Sequence, residues 1–279
     1  MAVRIVTDSA SDLPQDVCDD LNIEVVPLTI RFGDREYVDR KDLSTEAFWQ
    51  ELERSSVLPE TAAPSVGAFE ETFRRLADSG ADGIACINLS AQLSATMQSA
   101  QLAAKALDGE CAVEILDSSS ATMGIGNLVL HAARRARDGA DLQTIVAEVE
   151  DRRDRQHVLA TLDTLEYLRK GGRIGGARAL AGSMLSIKPV ISVTDGVVQE
   201  AGKVRTRGKA LQFIVDRIPR GKVEMISVLH AGAPDVDTFL SLVRPLVPDA
   251  EVVVGMIGPV VGVHTGPRVI GVAWIERAT

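Results

Sequence analysis

Short aliphatic runs that end in polar residues, alternating with stretches of helical periodicity, constrain the fold of this chain most tightly. VRIVTDS is followed by a helix that opens at Leu13-Pro14, with proline in its first turn. DGIACINLS leads into the small-residue helical stretch SATMQSAQLAAKAL, and CAVEILDS into a helix through NLVLHAARRARDG. Unbroken aliphatic runs of this length fit strands covered on both faces, as in parallel sheets. Strands that alternate with helices imply a layered α/β arrangement. Aromatic residues are only 4% of the chain, so its interior is built from Leu, Ile, Val and Ala.

The remaining segments refine this frame. IEVVPLTIRF is β-rich, with Pro27 marking a kink or an edge. Ser44 is an expected helix N-cap ahead of Phe48 and Leu52, and residues 55–64 read as a loop before the amphipathic stretch VGAFEETFRRLADSG. LQTIVAEVEDRR predicts one more helix. Near residue 154 the pattern changes. LSIKPVISVTDGVVQEAGKVR reads as a hairpin turning at Asp195-Gly196. GKALQFIVDRI, KVEMISVLH, DTFLSLVRPLV, AEVVVGMIG and RVIGVAWIE then complete a second strand and helix series. The expectation is two α/β domains, residues 1–153 with a mostly parallel sheet and residues 154–279 with a mixed one.

With 279 residues and 46% hydrophobic content, the chain reads as a soluble globular protein. The run MAVRIVTDS lacks the pattern of a secretory signal, and no apolar stretch reaches the length of a membrane span. Cys18, Cys86 and Cys111 have no metal-like spacing and read as buried reduced thiols of a cytoplasmic protein. His131, His157, His230 and His264 share no zinc-binding spacing either. A net charge of -9 argues against a general polyanion binder such as a nucleic-acid module. Residues 168–210 depart from that average, with nine basic side chains against two acidic ones. A basic face on an acidic protein points to one specific anionic partner.

Four polar residues stand at the edges of apolar runs beside glycine, proline or small residues: Thr61 in TAAPS, Ser94 in LSAT, Arg173 in GGRIGG and His264 in VHTGPR. Ser94 is placed to begin a helix, where free N–H groups favour an anion, and Ala95 leaves room for close approach. GGRIGG is neither a dinucleotide fingerprint nor a P-loop, so its arginine suits a carboxylate or phosphate. His264 reads as a turn residue that donates to a carboxylate oxygen and is charged when ligand is bound. Two hydroxyls, a guanidinium and an imidazole most simply hold a carboxylate. The enzyme alternative is a serine esterase or thioesterase built from Ser94, His264 and Asp117. No G-x-S-x-G elbow accompanies Ser94.

Taken in order, IVTDSASDLP, VVPLTIRFGDREYVD, TAAPS, LSATMQSA, ILDS, LEYLRKGGRIGG, IKPVISVTDG, KVRTRGKA and GVHTGP resemble the DegV family of bacterial fatty-acid-binding proteins almost end to end. The resemblance implies two α/β domains with a long-chain fatty acid between them, the carboxylate near Thr61, Ser94, Arg173 and His264, and Ala95 and Gly266 beside it. It implies no cofactor and no catalysis by the chain alone. The implied partner is a dihydroxyacetone-kinase-like fatty acid kinase, which phosphorylates the carboxylate for phospholipid synthesis. The basic residues Arg205, Arg207 and Lys209 are the expected docking face for that kinase. Three positions depart from the family pattern. Ala62-Ala63 stand where Ser-Gln is usual, Ala95 where glycine is usual, and Arg268 where glycine is frequent.

Overall fold

The computed structural model of the chain describes residues 3–107, 109–183 and 187–278. Leu185 and Ser186, at the start of the expected hairpin run, lie outside them. In the first half, β1 (Val3–Asp8) leads through a short 3-10 turn to α1 (Gln15–Asp20) and β2 (Ile23–Val26). Then come β3 (Thr29–Phe32), β4 (Arg35–Val38), α2 (Thr45–Arg54), β5 (Glu60–Ala62) and α3 (Val66–Asp78). β6 (Gly83–Asn88), α4 (Thr96–Lys105), β7 (Ala112–Asp117), α5 (Met123–Arg137) and α6 (Leu142–Asp154) complete it. β2, β1, β6 and β7 form a parallel sheet in that order.

Both faces of this sheet are covered, which is why every residue of β6 is buried. Phe69, Phe73 and Leu76 of α3 pack with Val6, Ile84 and Cys86 on one face. On the other, Leu128 and Ala132 of α5 join Ile5, Ala85 and Ile87. Side-chain caps start several of the helices: Ser44, Ser65 and Asp141 accept from the N–H groups of Ala47, Ala68 and Thr144. Pro27 separates β2 from β3, and the two strands belong to different sheets. β4, β3 and β5 make a small antiparallel sheet, so part of the expected loop at 55–64 is a strand, and Thr61 pairs with Ile30.

The second half holds β8 (Gln156–Thr161), α7 (Glu166–Lys170), β9 (Lys188–Thr194), β10 (Val197–Val204) and α8 (Arg207–Val215). β11 (Val223–His230), α9 (Val236–Val243), β12 (Glu251–Met256), α10 (Pro259–Thr265) and β13 (Ile270–Glu276) follow. Its six strands lie in the order β10-β9-β8-β13-β11-β12; only the β11–β12 pair is parallel. The hairpin turns at Asp195-Gly196, both with positive φ, as a tight turn between twisted strands requires. Leu211, Ile214, Phe239 and Val243 cover one face.

The chain therefore has the two α/β domains expected, one sheet parallel and one mixed. α5 lies between the two sheets, and ten of its fifteen residues are buried. Its Asn127 donates to the Ala273 carbonyl of β13 at 3.2 Å and accepts from Ser227 of β11 at 2.6 Å. Cys18 and Cys86 are buried, whereas Cys111 is only partly so. Among the described residues no helix is long and apolar enough to cross a membrane, and no cluster of His, Cys, Asp and Glu is arranged to hold a metal ion.

Candidate functional site

A cavity with mostly aliphatic walls lies where the halves meet, the lining that ligand pockets commonly have. Leu28, Leu89 and Leu93 line it from the first half, and Ile191, Val198 and Leu229 from the second. At one end the aliphatic wall gives way to Thr61, Ser94, Arg173 and His264. Thr61, Arg173 and His264 also border a surface hollow that contains Tyr167 and Lys170. These three side chains stand between a greasy interior and water.

His264 reaches this place on α10, not on a turn, because that helix is pinned along its length. The Gly258 N–H at its N-cap donates to Asp12 Oδ1 at 3.0 Å. Trp49 Nε1 donates to the Ile257 carbonyl at 3.1 Å, and Phe48 and Trp49 crowd Gly262 so closely that a Cβ there would lie 2.6 Å from the Phe48 ring. Tyr167 closes the far end against Gly266, which has φ +73°. The imidazole Nε2 sits 3.0 Å from Thr61 Oγ1. Nδ1 is buried and has no hydrogen-bond partner among the described residues. Burial first, and then the charge of Arg173, press the His264 pKa down to about 4. The ring is neutral at neutral pH in the free protein, and a bound carboxylate would act in the opposite direction.

Arg173 is delivered by the end of α7. Gly172, with φ +73°, donates to the Arg169 carbonyl, and Arg173 N–H donates to that of Leu168. This is a Schellman stop, and it explains the glycine at 172. The guanidinium is then aimed by two carbonyls: Nε donates to Leu93 at 3.1 Å and Nη1 to Gly171 at 2.6 Å. Nη2 makes no hydrogen bond among the described residues, and a carboxylate fits a planar donor of this kind. Gly171 lies under the imidazole, where a Cβ would stand 2.3 Å from Nδ1.

Ser94 does not cap α4. Ala95 is the N-cap and offers no side-chain bond, while Ser94 Oγ lies 2.8 Å from Thr96 Oγ1 and accepts from the Thr96 N–H at 3.3 Å. The loop that carries it is tied to the second half, for Ser90 Oγ donates to the Gly196 carbonyl at 2.7 Å. Asp117 accepts from the N–H groups of Ser119 and Ala91, and His264 Nε2 faces Thr61. The Ser94–His264–Asp117 triad is therefore not assembled.

Other expected residues are placed differently. Ala95 and Gly266 flank the cavity without lining it. Ala95 has φ -78°, so this position does not require glycine. Arg268 has φ +61°, the left-handed region that favours glycine, and its Nε lies 3.4 Å from Asp163. Arg205 and Lys209 are exposed at the start of α8, but Arg207 turns inward to a two-pronged bond with Asp235 at 2.6 and 2.8 Å. Gly171, Tyr167, Thr96 and the Leu93 carbonyl have site roles that the sequence reading missed. The two-residue spacing of Ser94 and Thr96 was the one local signal for any of them.

The model of the family described as "Uncharacterised protein, DegV family" matches residues 2–277. A DegV domain-containing protein of Streptomyces coelicolor is 38% identical over 281 residues, covering 99% of each chain. The structure of a Thermus thermophilus DegV family protein, described as binding fatty acid, aligns with TM-score 0.92 at 33% identity and covers 99% of this chain and 100% of that one. A stearic-acid-binding protein from Eubacterium ventriosum aligns with TM-score 0.90 at 26% identity, covering 99% of this chain and 98% of that one. The fold, the whole-length match and these relatives agree: this chain belongs to the DegV family.

Proposed function

We propose that this protein binds a long-chain fatty acid in the cavity between its halves and presents the carboxylate at the surface end. The observation that carries this reading is an aliphatic space that ends at Thr61, Arg173 and His264, the residues it shares with an open hollow. Each buried methylene contributes about 0.8 kcal/mol, so the tail supplies most of the affinity. A carboxylate is costly to bury alone, and the Thr61 and Ser94 hydroxyls, the free edge of Arg173 and the His264 ring offset that cost. The division of labour follows the domain boundary at 153/154, with Thr61 and Ser94 from one side and Arg173 and His264 from the other.

In this reading the protein is a cytoplasmic carrier with no cofactor and no catalysis of its own. A dihydroxyacetone-kinase-like fatty acid kinase supplies ATP at the hollow. A carboxylate oxygen attacks the γ-phosphorus, ADP leaves, and the acyl phosphate enters phospholipid synthesis. Arg205 and Lys209 are the docking candidates, because Arg207 is held by Asp235. The test is solvent extraction and mass spectrometry of the purified protein, followed by titration of stripped protein with palmitic acid. A co-purified fatty acid, or saturable uptake, is expected. Neither lipid nor uptake would overturn the reading.

A further inference from the structure

The cavity meets a second hollow at a place remote in kind from the polar end. The residues common to both are Val158, Leu159 and Val193. Val158 and Val193 are cross-strand partners, and theirs is the last rung of the β8–β9 ladder. Beyond it the two strands part. Among the described residues, Gln156 and His157 pair only with β13, and Thr194 only with β10. The gap opens into a hollow bordered by polar groups that include Gln156, His157, Ser192 and Thr194. Val158 is 6% exposed and packs against α5, where a Cβ on Gly124 would stand 2.9 Å from its Cγ2. It cannot retreat in that direction. Val193 is half-buried and packs against the same core.

Resting on the fatty-acid reading, we propose that the Val158–Val193 rung is the tail stop that sets the longest acyl chain this protein holds well. In front of the rung each added methylene leaves water for an apolar wall, which raises affinity about fourfold. Behind it the chain would enter a polar hollow, where that gain ends. The two valines meet the end of the tail, whereas the polar quartet meets only the head. Substitutions at the rung therefore change length preference and leave head-group recognition alone.

The experiment is a competition assay on delipidated protein with straight-chain saturated acids of increasing length. Wild type, Val158→Ala/Val193→Ala, Val193→Ala alone and Val193→Phe are compared, each checked by thermal melting. Each Val→Ala change removes two carbons from the wall, so the double variant should move the preferred length up by about two carbons. Val193→Phe should move it down, with little change for acids that already fall short of the rung. If the double variant fails to fold, the two Val193 variants carry the same test in opposite directions. Folded variants that keep the wild-type length profile overturn the tail stop and leave the fatty-acid reading intact. A wild-type protein that binds no acid of any length overturns both.

Discussion

Thr61 and His264, 203 residues apart in the chain, meet with Oγ1 and Nε2 3.0 Å from each other at the polar end of the cavity. One comes from the edge of a three-stranded sheet and the other from a seven-residue helix of the second half. Their meeting closes the cavity with two hydrogen-bonding groups, beside a guanidinium already fixed by two carbonyls.

Arg173 supplies the only formal positive charge among the four residues proposed to hold the head group. Replacing it with Gln keeps hydrogen-bonding capacity and removes the charge. Affinity for palmitate should fall about 10- to 100-fold, the range for a charge-assisted bond, with little change in melting temperature. Titration calorimetry of stripped protein checks this. The same substitution should raise the His264 pKa, which burial and the Arg173 charge hold down; proton NMR of the ring reads it directly.

Binding should tighten as pH falls from 7 towards 5. His264 is neutral in the free protein, with a pKa of about 4, and a carboxylate alongside raises that value. Ligand and proton then bind together, and the slope should vanish in His264→Gln. The free protein has the opposite dependence through the same group. The unfolded chain takes up this proton from its ordinary value of 6.5 downward and the folded one resists until about 4. The stability tied to His264 is therefore complete above 6.5 and lost as pH drops through that window. Asp12, pushed up to about 7 by burial, works in reverse: its contribution is complete below 3.8 and lost as pH rises towards 7.

Two neighbouring glycines should fail in different ways. Gly171→Ala needs no unusual backbone, but its methyl group would strike the imidazole, so affinity should fall on the order of tenfold while stability holds. Gly266 has φ +73° and faces the Tyr167 ring at 2.4 Å from a Cβ. Gly266→Ala should cost about 2–4 kcal/mol of folding stability, seen in urea denaturation. Equal effects of both on affinity alone would contradict these roles.

The arrangement of Ser94 predicts no ester turnover. Its hydroxyl is engaged with Thr96, and Asp117 bonds backbone amides. A chromogenic short-chain ester should hydrolyse no faster with wild type than with Ser94→Ala. A rate lost on that substitution would restore the hydrolase alternative.

The parallel sheet was legible because burial on both faces leaves unbroken aliphatic runs such as GIACINL. The hairpin was legible because Asp-Gly is a local signal. β4 was not, since REYV is short, begins with two charged residues and buries none of its side chains fully. Nor was the insertion of β13 between β8 and β11, because such an order is chosen by the packing of whole layers rather than by any one strand. Thr61, Ser94, Arg173 and His264 each stood at a break in periodicity, and the structure brings all four to one cavity. The pairing of Arg207 is not legible in the sequence, because its acids, Asp163 and Asp235, lie on distant segments. The cavity wall is drawn from many strands and loops, each contributing one or two aliphatic residues that locally read as ordinary core.

The most direct test is a crystal structure of the protein loaded with palmitic acid at neutral pH. A carboxylate within hydrogen-bond reach of Thr61, Arg173 and His264, with its tail running along Leu229 towards Val158, is the predicted result. A palmitate seated elsewhere, or a cavity that stays empty at saturating ligand, would contradict the account.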